Sequence, residues 1–123
     1  MMGFRQIKGA VSYHSGLAAE ESVATVYARA GLEVVERRWR GSEGEIDLIA
    51  RDGDGFVFIE VKKSRTHGEA AQQLSRRQIS RIFDAATEYV GLAPLGLMTQ
   101  MRFDVALVDA VGRVEVLENA MAA

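Results

Sequence analysis

Two apolar runs, GEIDLIA and FVFIEVK, flank the segment Asp52-Gly53-Asp54-Gly55, and no other stretch restricts the fold of this chain as strongly. Both runs alternate like strands, and the residues between them tolerate positive φ. The spacing therefore predicts a β-hairpin with its loop centred on Gly53-Asp54. Register follows by arithmetic. With Asp52 opposite Gly55, Asp47 faces Glu60 and Glu45 faces Lys62, all on one face of the hairpin. Ile46, Leu48, Val57, Ile59 and Val61 make the other face, which is wholly apolar and expected in the core. Opposed Cβ atoms lie about 5 Å apart. Two carboxylates at that spacing repel, so the pair asks for a cation between them or a proton on one of them.

A chain of 123 residues, 48% hydrophobic, is long enough for one domain with a real core. We place that domain at residues 15–121, with residues 1–14 as an N-terminal tail or arm. The absence of cysteine excludes a disulfide framework and a thiolate metal site, so a reducing cytoplasm is the expected location. No apolar run is long enough for a signal peptide or a membrane span. The net charge of −2 argues against coating nucleic acid by bulk charge. Local charge differs: Arg37, Arg38, Arg40, Lys63, Arg65, Arg77 and Arg81 fall in or beside the central segment and are candidate contacts to nucleic acid, with which binding should be salt-sensitive.

Around the hairpin the chain reads simply. From Ser15 to Ala30 a helix is expected, with Val23, Val26, Tyr27 and Ala30 on its apolar stripe, Gly31 as its stop, and Glu20 on the stripe's flank. Leu32 to Trp39 is strand-like. Residues 63–75, KSRTHGEAAQQLS, read as a loop. A second helix runs from Arg76 to Val90. Ile79, Ile82, Phe83, Ala86 and Val90 form its inner stripe, Arg77 and Arg81 point outward, and Gln78 sits at the boundary. Arg102–Val111 and Val114–Leu117 are closing strands. His14 and His67 read as surface residues. The order helix, three strands, helix, two strands predicts a mixed β-sheet flanked by helices.

Asp47, Glu60 and Lys62 stand in otherwise apolar strands. Oxygen ligands from the two carboxylates, the Val61 carbonyl and water suit Mg²⁺ or Mn²⁺. Lys62 can orient or help deprotonate a water molecule, and phosphodiester hydrolysis fits these groups. A salt-bridge cluster on an exposed sheet face is the alternative. No Walker loop or nucleophile elbow offers different chemistry.

The spacing D-x₁₂-E-x-K resembles that of the PD-(D/E)XK nuclease superfamily, and within it the YraN-like family, UPF0102. GEIDLIA at Gly44–Ala50, FIEVK at Phe58–Lys62, RFDV at Arg102–Val105 and LENA at Leu117–Ala120 carry the resemblance, which covers residues 15 to 121. It implies a restriction-endonuclease-like core similar to archaeal Holliday junction resolvases, with Asp47 and Glu60 as metal ligands and Lys62 as the catalytic lysine. Glu20 matches the family's first-helix glutamate. Gln78 occupies a place where family members commonly carry lysine, and Ser64 follows Lys63 where a threonine-arginine run is usual. The implied activity is a metal-dependent endonuclease acting on structured or branched DNA. The alternative is a nucleic-acid-binding module that keeps the fold without turnover. A homodimer would suit an enzyme making two cuts.

Overall fold

The structure, a computed structural model, describes residues 17–120. The expected tail, His14 and the start of the first helix at Ser15 lie outside them. Helix α1 covers residues 17–29. It buries Ala19, Val23, Ala24 and Tyr27, but Val26 is 39% exposed and Ala30 lies in the turn beyond the helix, so the apolar stripe is narrower than expected. Gly31, at φ +85, ends it. The Gly31 N–H reaches the Ala28 carbonyl and the Leu32 N–H the Tyr27 carbonyl, which closes the helix as a Schellman motif.

Five strands follow: β1 (Glu33–Arg40), β2 (Glu45–Asp52), β3 (Gly55–Lys63), β4 (Met101–Val108) and β5 (Val114–Leu117). They form one sheet in the order β1-β2-β3-β4-β5. The β3–β4 pair is parallel and the other three are antiparallel. Between β3 and β4 run α2 (His67–Gln72), α3 (Arg76–Gly91) and a 3₁₀ turn, Gly96–Met98. The expected loop at residues 63–75 thus contains a helix. Thr66 caps it by accepting the Glu69 N–H at 3.1 Å, while the Glu69 carboxylate turns to Ser64 and Arg65. His67, at its start, is half-buried rather than superficial: its ring lies 2.9 Å from the Arg113 carbonyl and 3.0 Å from Glu115. The fourth strand ends at Val108, short of the expected Val111.

Both faces of the sheet are covered. Leu48, Ala50, Val57, Ile59, Ala106 and Val108 pack against α1. Ile49, Phe58, Phe103, Val105 and Leu107 pack against Ala70 of α2 and against Ile82, Ala85, Ala86 and Val90 of α3. Each fully buried aliphatic side chain contributes about 1.5–3 kcal/mol. Tyr89 ties α3 to the sheet by meeting Trp39, Phe56 and Phe58 edge-on at 5.2, 5.3 and 5.9 Å, so Trp39 is a packing residue. On α3, Ile79 is half-buried and Phe83 is 43% exposed, because the helix lays Ala85 on the sheet in place of Phe83.

The hairpin register matches the expected one from Asp52↔Gly55 to Leu48↔Ile59. There the regular pairing stops, so Asp47↔Glu60 and Glu45↔Lys62 are not ladder partners. β2 continues on β1, through Trp39↔Ile46 and Arg40↔Glu45, while β3 continues on β4 as far as Lys63↔Val108. Ile46 correspondingly joins the core under α3 with Ile49, not the layer of Leu48, so alternation breaks at Asp47. The physical reason lies across the ladder, where Arg38 has a left-handed backbone.

Candidate active site

The end of the β2–β3 ladder is where the acidic residues gather. The Oδ2 of Asp47 accepts the Val61 N–H at 2.8 Å, a side chain filling the place where a strand carbonyl would pair. Glu60 is buried, at 6% exposure, between β2 and α3. Its Oε2 accepts from Nε2 of Gln78 at 3.1 Å, which makes the boundary position of that helix a direct neighbour of the carboxyl pair. Ser75 makes this possible, since its side chain caps α3 on the Gln78 N–H and fixes where the first turn begins.

Burial pushes the Glu60 carboxyl up to about 9, and the hydrogen bond and negative charge of Asp47 push it in the same direction. The Lys62 ammonium and the Gln78 amide pull it down, but by less. Two carboxyl groups therefore meet in a site too dry to hold both charges without a cation or a proton. Lys62, half-buried two residues beyond Glu60 on the same strand, completes the group.

The other expected site residues are placed unequally. Glu20 is held by Arg38, whose Nε donates to its Oε2 at 3.2 Å, and its side chain is 19% exposed. Among the described residues no three His, Cys, Asp or Glu side chains converge to hold a metal, so Glu20 stands outside the Asp47–Glu60 pair. The basic residues do not form one uniform stripe. Arg37 pairs with Glu21 on α1, Arg40 with Glu45, and Arg65 with Glu69. Arg77 and Arg81 are exposed on α3, in the other helical layer, and Lys63 is half-buried at the end of β3.

One buried group lay beyond sequence reasoning. Asp104, in the RFDV segment, is fully enclosed and receives the Tyr27 hydroxyl at 2.6 Å, Arg102 through Nε and a terminal nitrogen at 2.9 Å each, and the Asn119 N–H at 2.9 Å. It joins α1, β4 and the segment after β5, and it does not touch the carboxyl pair. Only the motif marked it in the sequence, because its partners lie up to 77 residues away.

A five-stranded mixed sheet between two helical layers, with buried Glu60 and half-buried Asp47 brought together where the β2–β3 ladder ends, defines an α/β protein with an acidic cluster at one end of a hairpin. The chain belongs to UPF0102: the family profile described as "Uncharacterised protein family UPF0102" matches residues 19–108. It is 60% identical over 117 residues to a UPF0102 protein of Cereibacter sphaeroides strain KD131, covering 95% of this chain and all of that protein. A UPF0102 protein of Ruegeria pomeroyi is 53% identical over 92% of each chain. One from Dinoroseobacter shibae is 44% identical over 94% of this chain and 86% of its own length. Among the described residues no helix is long and apolar enough to cross a membrane.

Proposed function

We propose that this protein is a metal-dependent endonuclease with a restriction-endonuclease-like core, hydrolysing phosphodiester bonds in structured or branched DNA. The observation that carries the reading is the approach of Asp47 to buried Glu60 where β2 leaves β3, with Lys62 and Gln78 beside them. The donor set fits a hard cation. It consists of oxygen from the Asp47 and Glu60 carboxyls and the Val61 carbonyl, and Mg²⁺ and Mn²⁺ take such ligands together with water and substrate phosphate. When bound, the cation supplies positive charge to a phosphoryl group and acidifies water.

The chain's own residues do the rest. Gln78 holds the Glu60 carboxyl in one orientation through its amide. Asp47 is fixed by the Val61 N–H, so both ligands are set before anything binds. Lys62 draws the phosphodiester inward and orients the attacking water by hydrogen bonding. Arg37, Arg40, Lys63, Arg65, Arg77 and Arg81 contribute to holding the DNA backbone around the carboxyl pair.

A second reading, a nucleic-acid-binding module without turnover, is favoured by one observation: Glu20 is engaged by Arg38 and does not join the pair. A cleavage screen with Mg²⁺ and Mn²⁺ over linear, nicked, flap and four-way DNA separates the two. Metal-dependent nicks that disappear in Asp47→Asn support the nuclease. Binding without any cut, for wild type under both metals, transfers the case to the module.

A further inference from the structure

The turn between β1 and β2, Gly41 to Gly44, is clipped to α3 by a carboxylate. Glu88 accepts the Ser42 N–H at 2.9 Å through Oε2 and at 3.2 Å through Oε1, and the Ser42 hydroxyl donates to Oε2 at 3.1 Å. The Gly41 N–H closes the turn on the Gly44 carbonyl at 2.9 Å. Glycine at 41 makes room for the contact: a Cβ there would meet the Glu88 carboxylate at 2.5 Å and the Trp39 ring at 2.7 Å. The other end of the turn rests on the same helix, since a Cβ at Gly44 would lie 3.9 Å from the Arg81 Cβ.

The start of β2 needs such a hold. Its regular pairing with β3 ends at Leu48↔Ile59, so Glu45 and Ile46 are laddered to β1 and not to β3. β1 is an edge strand, with a register shift between Val34 and Glu36 and a left-handed backbone at Arg38. Ile46 and Trp39 pack under α3, but apolar contact is non-directional and leaves the strand free to slide. A carboxylate that grips one residue through two kinds of donor sets direction as well. The same helix holds the opposite side of the pair, because Gln78 donates to Glu60 at 3.1 Å. Gln78 and Glu88 stand about 15 Å apart along α3 at 1.5 Å per residue, on a rigid element that reaches both strands.

We infer that Glu88 is a positioning residue for the carboxyl pair: through Ser42 it fixes the start of β2, and with it the Asp47 carboxylate, relative to Glu60. It bonds to neither carboxyl itself. The placement of β2 rests on the fold alone, whereas its consequence for a shared cation rests on the nuclease reading.

The test compares wild type, Glu88→Gln, Glu88→Ala, Gly41→Ala and the Gly41→Ala/Glu88→Ala double variant. Amide hydrogen exchange of the metal-free proteins reads the Val61 N–H, which Asp47 accepts. It should speed up about tenfold in Glu88→Ala and in Gly41→Ala, while amides of the β3–β4 ladder keep wild-type rates. The double variant should be no worse than either single one, because both remove the same contact. Mn²⁺ affinity and kcat should fall about tenfold in the two single variants with KM for DNA unchanged. Glu88→Gln still offers Ser42 an acceptor and should recover most of the loss. Wild-type exchange at Val61 in Glu88→Ala overturns the inference. So does equal acceleration across the β3–β4 ladder, which would make the clip a general brace, or a Glu88→Gln protein as impaired as Glu88→Ala, which would make charge the cause. If wild type neither binds Mn²⁺ nor cleaves, the nuclease reading fails, and Val61 exchange still decides whether Glu88 places Asp47.

Discussion

The carboxylate of Asp47 takes the backbone N–H of Val61 at 2.8 Å, closing the gap where β2 and β3 part. An asparagine oxygen can accept the same bond, so Asp47→Asn should lose less than about 1 kcal/mol of stability. Asp47→Ala leaves the N–H without that acceptor and should lose about 1–3 kcal/mol. Urea denaturation of the two variants makes the comparison. Equal losses would show that the bond to Val61 is not what Asp47 contributes to stability.

Glu60 gives the metal-free protein a pH dependence with a definite sign. Its carboxyl is raised in the folded state, to about 9 from an ordinary 4.5, so the folded protein binds more protons than the unfolded chain between those values. Its contribution to stability is therefore fully present below about pH 4.5 and is lost as pH rises toward about 9, with a limiting slope of about 1.4 kcal/mol per pH unit. Glu60→Gln keeps a neutral side chain and should flatten that fall. Denaturation curves across the range for both proteins check it, and parallel pH profiles would contradict it.

The local features of the fold were legible in the sequence, and the non-local ones were not. Asp52-Gly53-Asp54-Gly55 and the apolar alternation set a register that holds from Asp52↔Gly55 to Leu48↔Ile59. The break at Asp47 was hidden, because it depends on the backbone of Arg38 on a different strand. Helix α2 carried a capping-box signature in Thr66-His67-Gly68-Glu69, but the glycine and the polar neighbours outweighed it. Phe83 looked like a core residue by periodicity, yet which side of a helix meets the sheet is decided by packing, and Ala85 fits closer. The resemblance marked Gln78 only as a position where lysine is common; its bond to Glu60 required the Ser75 cap to set the first turn.

Tyr27 and Asp104 carry a structural prediction. The hydroxyl donates to a fully buried carboxylate at 2.6 Å, while Arg102 and the Asn119 N–H hold its remaining acceptor sites. Burial, then the hydrogen bond and charge of Asp104, push the Tyr27 hydroxyl well above its ordinary value, so it stays a donor throughout the accessible pH range. Tyr27→Phe should cost about 1.5–3 kcal/mol, as expected for a hydrogen bond to a charged partner. Metal affinity should be unchanged, since Tyr27 and Asp104 bond to neither Asp47 nor Glu60. Chemical denaturation and a Mn²⁺ titration read the two halves of the prediction.

The residues around the carboxyl pair should divide their labour. Lys62→Ala should leave Mn²⁺ affinity unchanged or slightly improved, because a nearby positive charge is lost, and should remove most turnover by leaving the attacking water unoriented. Glu20→Gln should lower turnover about 10- to 100-fold, the scale of a residue that orients a site from outside it. Isothermal titration with Mn²⁺ beside a cleavage assay distinguishes them. A Lys62→Ala protein that loses metal affinity would make the lysine a structural partner of Glu60.

The central claim is that Asp47 and Glu60 together support metal-dependent cleavage of phosphodiester bonds. Its most direct measurement is the rate of strand cleavage of a labelled four-way DNA junction in Mn²⁺ by wild type and by Asp47→Asn, at equal concentration. The account predicts cleavage by wild type that stops on chelation, and a loss of at least about 100-fold in the variant, since an amide is a poorer ligand for a hard cation and removes one neutralising charge. Cleavage by Asp47→Asn at the wild-type rate would contradict it.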